Sequence, residues 1–207
     1  MSTIEWTDHT INPLVGCTKV PGALTGCKNC YAEAASKTGR LQQFPQYHGV
    51  VNEQGHWTGK INFVPEQLEK LFKFRKPTRV FMPSMSDPFH PAVKDEWLAQ
   101  IFAAIALNPQ VTVQMLTKRP ERMLEYISSL RGVKLRSGLI RLRNQLEGIQ
   151  DARYTELTED LLPLKNLHLG VSVENQKVAD DRIPLLLKTP AALRFLSVEP
   201  LLESLDL

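Results

Sequence analysis

The stretch RVFMPSMSDPFHPAVKDEWLAQIFAAIALNPQVTVQML, from Arg79 to Leu116, decides the fold because it reads as a strand, a helix and a second strand. Arg79–Ser84 and Val111–Leu116 are short and rich in β-branched and large apolar residues, which favours strands. Between them, Val93–Leu107 has apolar residues at helical spacing, and Asn108-Pro109 ends that pattern. This order predicts a βαβ unit with parallel strands.

The same alternation continues toward the C-terminus. Two further strands are predicted at Leu167–Val173 and Leu193–Val198, with helices over about Pro120–Leu130 and Lys177–Lys188. Weaker patterns predict strands at Thr3–Trp6 and Ile61–Val64 and a helix at Pro65–Phe74.

Residues 134–162 interrupt this rhythm. They are charged and carry Leu and Ile at helical spacing, which predicts one or two helices inserted on the outside of the fold. At most six strands are predicted, fewer than the eight of a closed barrel. The predicted fold is therefore an α/β protein with a partial (incomplete) β/α barrel of parallel strands, in a single domain of residues 1–207.

The composition agrees with one globular domain outside the membrane. The chain has 207 residues, of which 43% are hydrophobic and 23% charged. No apolar run reaches the roughly 18 residues that span a bilayer. The first residues, MSTIEWTDHT, lack the basic-then-apolar pattern of a signal peptide, so we expect a cytoplasmic protein.

The positive charge is clustered, although the net charge is only +3. Lys73 to Arg79 contains four cations and no acid, and Arg131 to Arg143 contains five cations and no acid. Such runs form a solvated face or contact phosphate groups, so nucleic acid is a candidate partner.

Polar residues follow each of the four clear strands. In a parallel α/β fold, functional groups collect at the carboxyl ends of strands. The candidates are Ser84, Ser86, Asp87 and His90 after the first strand, Thr117, Lys118 and Arg119 after the second, Glu174 and Asn175 after the third, and Glu199 after the fourth.

Cys17, Cys27 and Cys30 are the protein's three cysteines and form the pattern C-x9-C-x2-C. An odd, clustered set argues against a disulfide framework and indicates metal ligation. Gly16 and Gly26 precede the first two cysteines, where the backbone must bend tightly around a metal centre.

The spacing alone fits zinc and an iron–sulfur cluster equally well. Three thiolates leave a fourth position, which a structural zinc site fills with another protein ligand, whereas an iron–sulfur cluster can keep one iron open. His48, His56 and His90 are candidates for a fourth zinc ligand, and none of them is assigned to a metal.

Several motifs together resemble a phage and prophage three-cysteine-motif family related to the radical S-adenosylmethionine superfamily. They are TIEWTDHTINPLVGCTKV, GCKNCYAEA, FMPSMSDPFH, QMLTKRPERM, LGVSVENQ and ADDRIPLLLKTPAALRFLSVEPLL. The resemblance covers nearly the whole chain except residues 134–162. It implies a radical-S-adenosylmethionine-like fold in a cytoplasmic protein encoded by a phage or prophage of a bacterial host.

The resemblance also implies a cofactor set. Cys17, Cys27 and Cys30 would hold a [4Fe-4S] cluster that binds S-adenosyl-L-methionine, and an electron donor would be a partner. Reductive cleavage would then give a 5′-deoxyadenosyl radical that acts on an unknown substrate. Lys118 and Arg119 would meet the cofactor carboxylate, and Glu174 or Glu199 its ammonium or ribose.

Two features depart from the superfamily pattern. The usual spacing is C-x3-C-x2-C with an aromatic residue before the third cysteine, whereas here Asn29 precedes it and Tyr31 follows it. Relatives continue beyond the VEPLL motif, so a chain ending at Leu207 is expected to be a truncated member. The competing hypothesis is a zinc-stabilised phage protein that binds nucleic acid without catalysis. Nucleic acid or a phage-encoded protein is the expected macromolecular partner.

Overall fold

The centre of the protein is a five-stranded parallel sheet. The computed structural model describes residues 4–21, 26–149 and 157–207. The sheet has the strand order β1-β4-β5-β6-β7, and each neighbouring pair is parallel. The strands are β1 (His9–Thr10), β4 (Thr78–Phe81), β5 (Val111–Thr117), β6 (Leu167–Ser172) and β7 (Leu193–Ser197). The predicted parallel α/β architecture is confirmed, and this sheet is open rather than a closed barrel.

Three long helices connect consecutive strands of the sheet. They are α3 (Asp95–Ala106), α4 (Pro120–Ser128) and α6 (Gln176–Lys188). Asn175 caps α6 by accepting a hydrogen bond from the Val178 N–H at 2.9 Å. Pro120 occupies the first turn of α4, where its missing N–H costs little.

One face of the sheet carries the larger hydrophobic core. Along β5 the residues alternate between buried and half-buried, so Val113 and Met115 point into the core while Gln114 does not. Leu98 and Phe102 of α3 belong to the same core and are fully buried. Helices therefore cover one face, and the other face is only partly covered.

The partly covered face is bridged by an aromatic side chain. The Trp6 ring lies 4.8 Å from the Phe81 ring on β4 and 6.3 Å from the Phe195 ring on β7, between centroids. Two strands separate β4 from β7, which in a flat sheet would hold them about 14 Å apart. Gly170 of β6 leaves room for Phe195, since a Cβ there would be 2.6 Å from the ring.

A smaller unit precedes β4 and contains all three cysteines. We call residues 14–63 the cysteine unit; it contains β2 (Leu14–Val15), β3 (Asn62–Phe63), α1 (Tyr31–Ser36) and α2 (Gly39–Gln42). β2 and β3 pair antiparallel in a separate two-stranded sheet. A second, small core lies here, formed by Val15, Ala32, Tyr47 and Val50 of the unit together with Met85, which follows β4.

The helical insertion packs on the layer of helices through α5 (Gly132–Gln145). Helix α5 lies against α3, and short 3-10 turns follow at Glu147–Ile149 and Glu159–Leu161. Gly138 permits this close approach, because a Cβ there would be 2.1 Å from the Ala99 carbonyl oxygen. Part of the insertion, residues 150–156, lies outside the described residues.

Several weaker sequence predictions need correction. The predicted strand at Thr3–Trp6 is wrong where it can be compared: residues 4–6 form a bend and turn, and the edge strand comes later, at β1. The strand within Ile61–Val64 exists as β3 but pairs with β2, outside the parallel sheet. The helix predicted at Pro65–Phe74 is a 3-10 helix at Pro65–Lys73.

In the part of the chain that the structure describes, every helix is too short or too polar to cross a lipid bilayer.

Candidate metal and cofactor site

The polar residues that follow β4, β5 and β6 meet at one edge of the sheet, as predicted. Asp87, Thr117 and Glu174 are all buried there, with 7%, 2% and 0% of their surfaces exposed. A buried carboxylate needs partners that offset the loss of hydration. Each of the two carboxylates is indeed the centre of a polar cluster.

The Asp87 carboxylate accepts four hydrogen bonds. Its Oδ1 accepts from the Thr117 hydroxyl at 2.6 Å and from the Phe89 N–H at 2.9 Å. Its Oδ2 accepts from the Lys118 N–H at 3.0 Å and from Arg119 Nη1 at 2.8 Å. Asp87 therefore fixes the end of β5 and the direction in which the Arg119 guanidinium points.

Arg119 connects this cluster to the first cysteine. Its Nη2 donates to the Thr18 carbonyl at 2.8 Å and to the Thr18 hydroxyl at 3.0 Å. Its Nη1 lies 3.9 Å from Cys17 Sγ. The backbone of the same loop is held to the sheet, because the Ser86 hydroxyl donates to the Gly16 carbonyl at 2.7 Å.

The Cys17 thiol is strongly protonated in this environment. Burial raises its pKa to about 12, with a contribution from the Asp87 charge that Arg119 partly opposes. The thiol donates a hydrogen bond to the Thr18 carbonyl at 3.2 Å. A metal ion bound here would have to displace that proton, so binding and proton release are coupled.

The second cluster is centred on Glu174. Its Oε1 forms an ion pair with Lys118, and its Oε2 lies 3.0 Å from Arg182 Nη1. Arg182 also donates to the Ser172 carbonyl at 2.7 Å. Burial lowers the pKa of Lys118, and the charge of Cys27 opposes that shift. One carboxylate thus holds two cations at this edge.

The loop that carries Cys27 lies directly over the second cluster. A Cβ on Gly26 would be 3.2 Å from both Lys118 Nζ and Glu174 Oε1, and 2.7 Å from Pro200 Cδ. Glycine is therefore needed for the close approach of this loop. Cys27 itself interacts electrostatically with Lys118, Arg182 and Cys17.

The third cysteine precedes α1, which begins at Tyr31. The Tyr31 hydroxyl donates to the Ser84 carbonyl at 2.6 Å and so ties this helix to the end of β4. Cys30 interacts electrostatically with Lys118. All three cysteines are free thiols and half-buried.

The three thiols interact electrostatically with cations of the two clusters but do not form a closed ligand set. Within residues 4–21, 26–149 and 157–207, no group of three or more His, Cys, Asp or Glu side chains is arranged to hold a metal ion. The three cysteines are of the residue type that binds a thiolate-ligated metal centre. Arg119, Lys118 and Arg182 add positive charge near them, although Asp87 and Glu174 already pair with these cations.

The three histidines considered for zinc are already engaged. His90 Nδ1 accepts from the Ala92 N–H at 3.1 Å, so its Nε2 carries the proton and donates to the Thr18 hydroxyl at 2.8 Å. Burial, followed by the charge of Arg119, lowers the pKa of His90 to about 4. His48 Nε2 contacts the Gln42 carbonyl at 2.8 Å, and His56 lies beside Glu33.

The structure brings together three of the four residues that the sequence suggests for cofactor binding. Lys118, Arg119 and Glu174 lie in the two clusters, whereas Glu199 is exposed and has no hydrogen bond or ion pair among the described residues. Arg182 was missed. The sequence pattern could have identified it, because Arg182 lies on the same face of α6 as Ala179 and Leu186, which are buried. A cation on a buried helix face needs a buried polar partner.

The fold and the site define an α/β protein with an open parallel sheet, in which a three-cysteine loop faces buried cations at the carboxyl edge. The chain belongs to a family described as "Protein of unknown function (DUF5131)", whose model matches residues 1–207. No curated protein matches it, and no solved structure matches it either.

Proposed function

We propose that this protein binds an iron–sulfur cluster through Cys17, Cys27 and Cys30 and acts as a radical S-adenosylmethionine enzyme. The observation that supports this most is electrostatic. Cys17 Sγ lies 3.9 Å from Arg119 Nη1 at the carboxyl edge of a parallel sheet. The charge of Cys27 acts on Lys118 and Arg182, and that of Cys30 acts on Lys118. This edge is where α/β proteins place their functional groups.

The protein's own residues would position the cofactors. Arg119, held by Asp87, orients the Cys17 loop. Lys118 is the cation available to a cofactor carboxylate, because 21% of its side chain is exposed while its partner Glu174 is fully buried. Glu199, exposed after β7, is the candidate for the cofactor ammonium or ribose.

A [4Fe-4S] cluster reduced by one electron supplies the reductive cleavage of S-adenosylmethionine to methionine and a 5′-deoxyadenosyl radical. An electron-donor partner or a chemical reductant provides that electron. The protein would hold the thiols in place, offset their negative charge and exclude water from the site.

Anaerobic purification and reconstitution with iron and sulfide test the metal part of the proposal. We expect iron and sulfide in equal amounts, and their loss in Cys17→Ser, Cys27→Ser and Cys30→Ser. Ser137→Ala, at an exposed position of α5, is the control and is expected to keep the metal. Stoichiometric zinc without iron would contradict the proposal and support a zinc-stabilised protein.

A separate assay tests the catalytic part. The reconstituted, reduced protein is expected to release 5′-deoxyadenosine from S-adenosylmethionine, and Lys118→Met to raise the S-adenosylmethionine concentration needed for half-maximal release. A full cluster that releases none with any reductant would remove the enzyme claim and leave the metal claim.

A further inference from the structure

The Glu33 carboxylate links the segments that carry the first and third cysteines. It lies on α1, three residues after Cys30, and only 9% of its side chain is exposed. Its Oε2 forms an ion pair with Lys19 at 2.8 Å, two residues after Cys17. Its Oε1 accepts from the Trp57 N–H at 2.9 Å. One side chain thus connects three parts of the cysteine unit.

The charge of Glu33 is maintained by these contacts. Burial opposes ionisation, but the hydrogen bonds from Lys19 and Trp57 outweigh it and hold the pKa below its usual value. The His56 ring lies 3.8 Å away on the exposed side. Glu33 is therefore an anion facing Lys19 in the folded protein, as an ion pair requires.

The sheet fixes the two cysteine segments separately. The Cys17 side is held by Ser86 and Arg119, and the Cys30 side by Tyr31 through its bond to Ser84. These anchors attach each segment to the sheet, and Val15, two residues before Cys17, packs in the same small core as Cys30. The Lys19–Glu33 ion pair is a direct polar contact between the two segments, at 2.8 Å.

We propose that Glu33 and Lys19 are positioning residues of the three-cysteine site, which keep the segments of Cys17 and Cys30 together so that their thiols can converge on one metal centre. The proposal deepens the proposed function and rests on it only for the identity of the metal. Partners that orient metal ligands without touching the metal typically change affinity 10–100-fold when removed.

The first experiment measures the proximity of the thiols without any metal. In a Cys27→Ser background, the chain is equilibrated with a mixture of reduced glutathione and glutathione disulfide; the glutathione disulfide oxidises Cys17 and Cys30 to one disulfide and is itself reduced to two molecules of glutathione. The equilibrium constant gives the effective concentration of one thiol at the other. We expect Lys19→Met to lower it about tenfold and Lys19→Arg to retain it.

The matched control is Lys60→Met. Lys60 lies in the same unit and donates to the His48 carbonyl at 3.1 Å, but it does not contact Glu33. It removes the same charge and should leave the effective concentration unchanged. Equal losses in Lys19→Met and Lys60→Met, or no loss in Lys19→Met, would overturn the proposal.

The second experiment uses Co²⁺ as a probe of thiolate ligation in the full three-cysteine chain. Glu33→Gln and Lys19→Met are expected to weaken Co²⁺ binding by about 10–100-fold, with unchanged circular dichroism. If both variants bind as the wild type does, positioning is ruled out. If the wild type binds neither Co²⁺ nor iron while the thiol equilibrium shifts as expected, the metal function fails and the positioning role stands.

Discussion

The parallel sheet and the cysteine unit are held together by different means. The sheet carries a large core with fully buried side chains such as Phe89, Phe102 and Met115. The core of the cysteine unit has four buried residues of its own and Met85 from beyond β4, and it is supplemented by ion pairs, hydrogen bonds and close-packed glycines. Apolar burial therefore contributes most to the stability of the sheet, whereas the cysteine unit depends more on polar contacts.

A cavity in the sheet core should have the largest effect. Phe102→Ala removes a fully buried ring and is expected to lower the free energy of unfolding by about 3–5 kcal/mol. Urea denaturation measures this, with Val133→Ala, 60% exposed on α5, as the control. A loss as small as the control's would mean that this core does not hold the sheet.

Asp87→Asn breaks the connection between the two regions. The amide cannot accept all the hydrogen bonds that the carboxylate does, so we expect a loss of about 2–3 kcal/mol by denaturation. Release of Arg119 should also speed the reaction of Cys17 with a thiol reagent. Asp8→Asn, which breaks an exposed ion pair with Arg79, should change neither measurement. Comparable effects in both variants would contradict this account.

Gly16→Ala strains the cysteine unit alone. Gly16 has φ +106°, and a Cβ there would be 2.1 Å from the Lys60 carbonyl oxygen. We expect a cost of about 1–3 kcal/mol and faster labelling of Cys17. Gly39→Ala is the control, because a Cβ at Gly39 meets nothing within 4 Å. An unchanged labelling rate in Gly16→Ala would show that this turn does not shape the loop.

As the pH falls, the cysteine unit should loosen at a higher pH than the sheet does. This is the smallest of the predicted effects. The pKa of Glu33 is lowered in the folded state by Lys19 and Trp57 against the opposing effect of burial. Its contribution to stability is therefore present above about pH 4.5, the unfolded value, and is lost as the pH falls through the lower folded value. Labelling of Cys30 between pH 6 and 3, relative to that of a small model thiol at the same pH, measures this. Glu33→Gln should remove the pH dependence of that ratio.

Much of the sheet could be predicted from sequence because its signals are local. Strands β4 to β7 are short runs rich in large apolar or β-branched residues between helical patterns and turn residues, and the sequence predicts all four in order. The sequence does not predict the two-residue strand β1, because so short an element has no periodicity. Only its pairing with β4 identifies it as a strand. Likewise, only tertiary contact decides that β3 pairs with β2.

The candidate site was predictable in its residues but not in its pairings. Strand ends pointed to Lys118, Arg119 and Glu174 because parallel strands bring their carboxyl ends to one edge. The sequence does not show that the Arg119 guanidinium forms an ion pair with the Asp87 carboxylate. Nor could it show the contact between Lys19 and Glu33, which are 14 positions apart and belong to different segments.

The surroundings of Asp87 also limit the chemistry open to the protein. A carboxylate offers about four lone-pair positions, and here donors fill two on each oxygen. Such a group has no position left to take a proton from a bound molecule. A general base, where a reaction needs one, must therefore be sought among less crowded side chains, and Asp87 acts as scaffold.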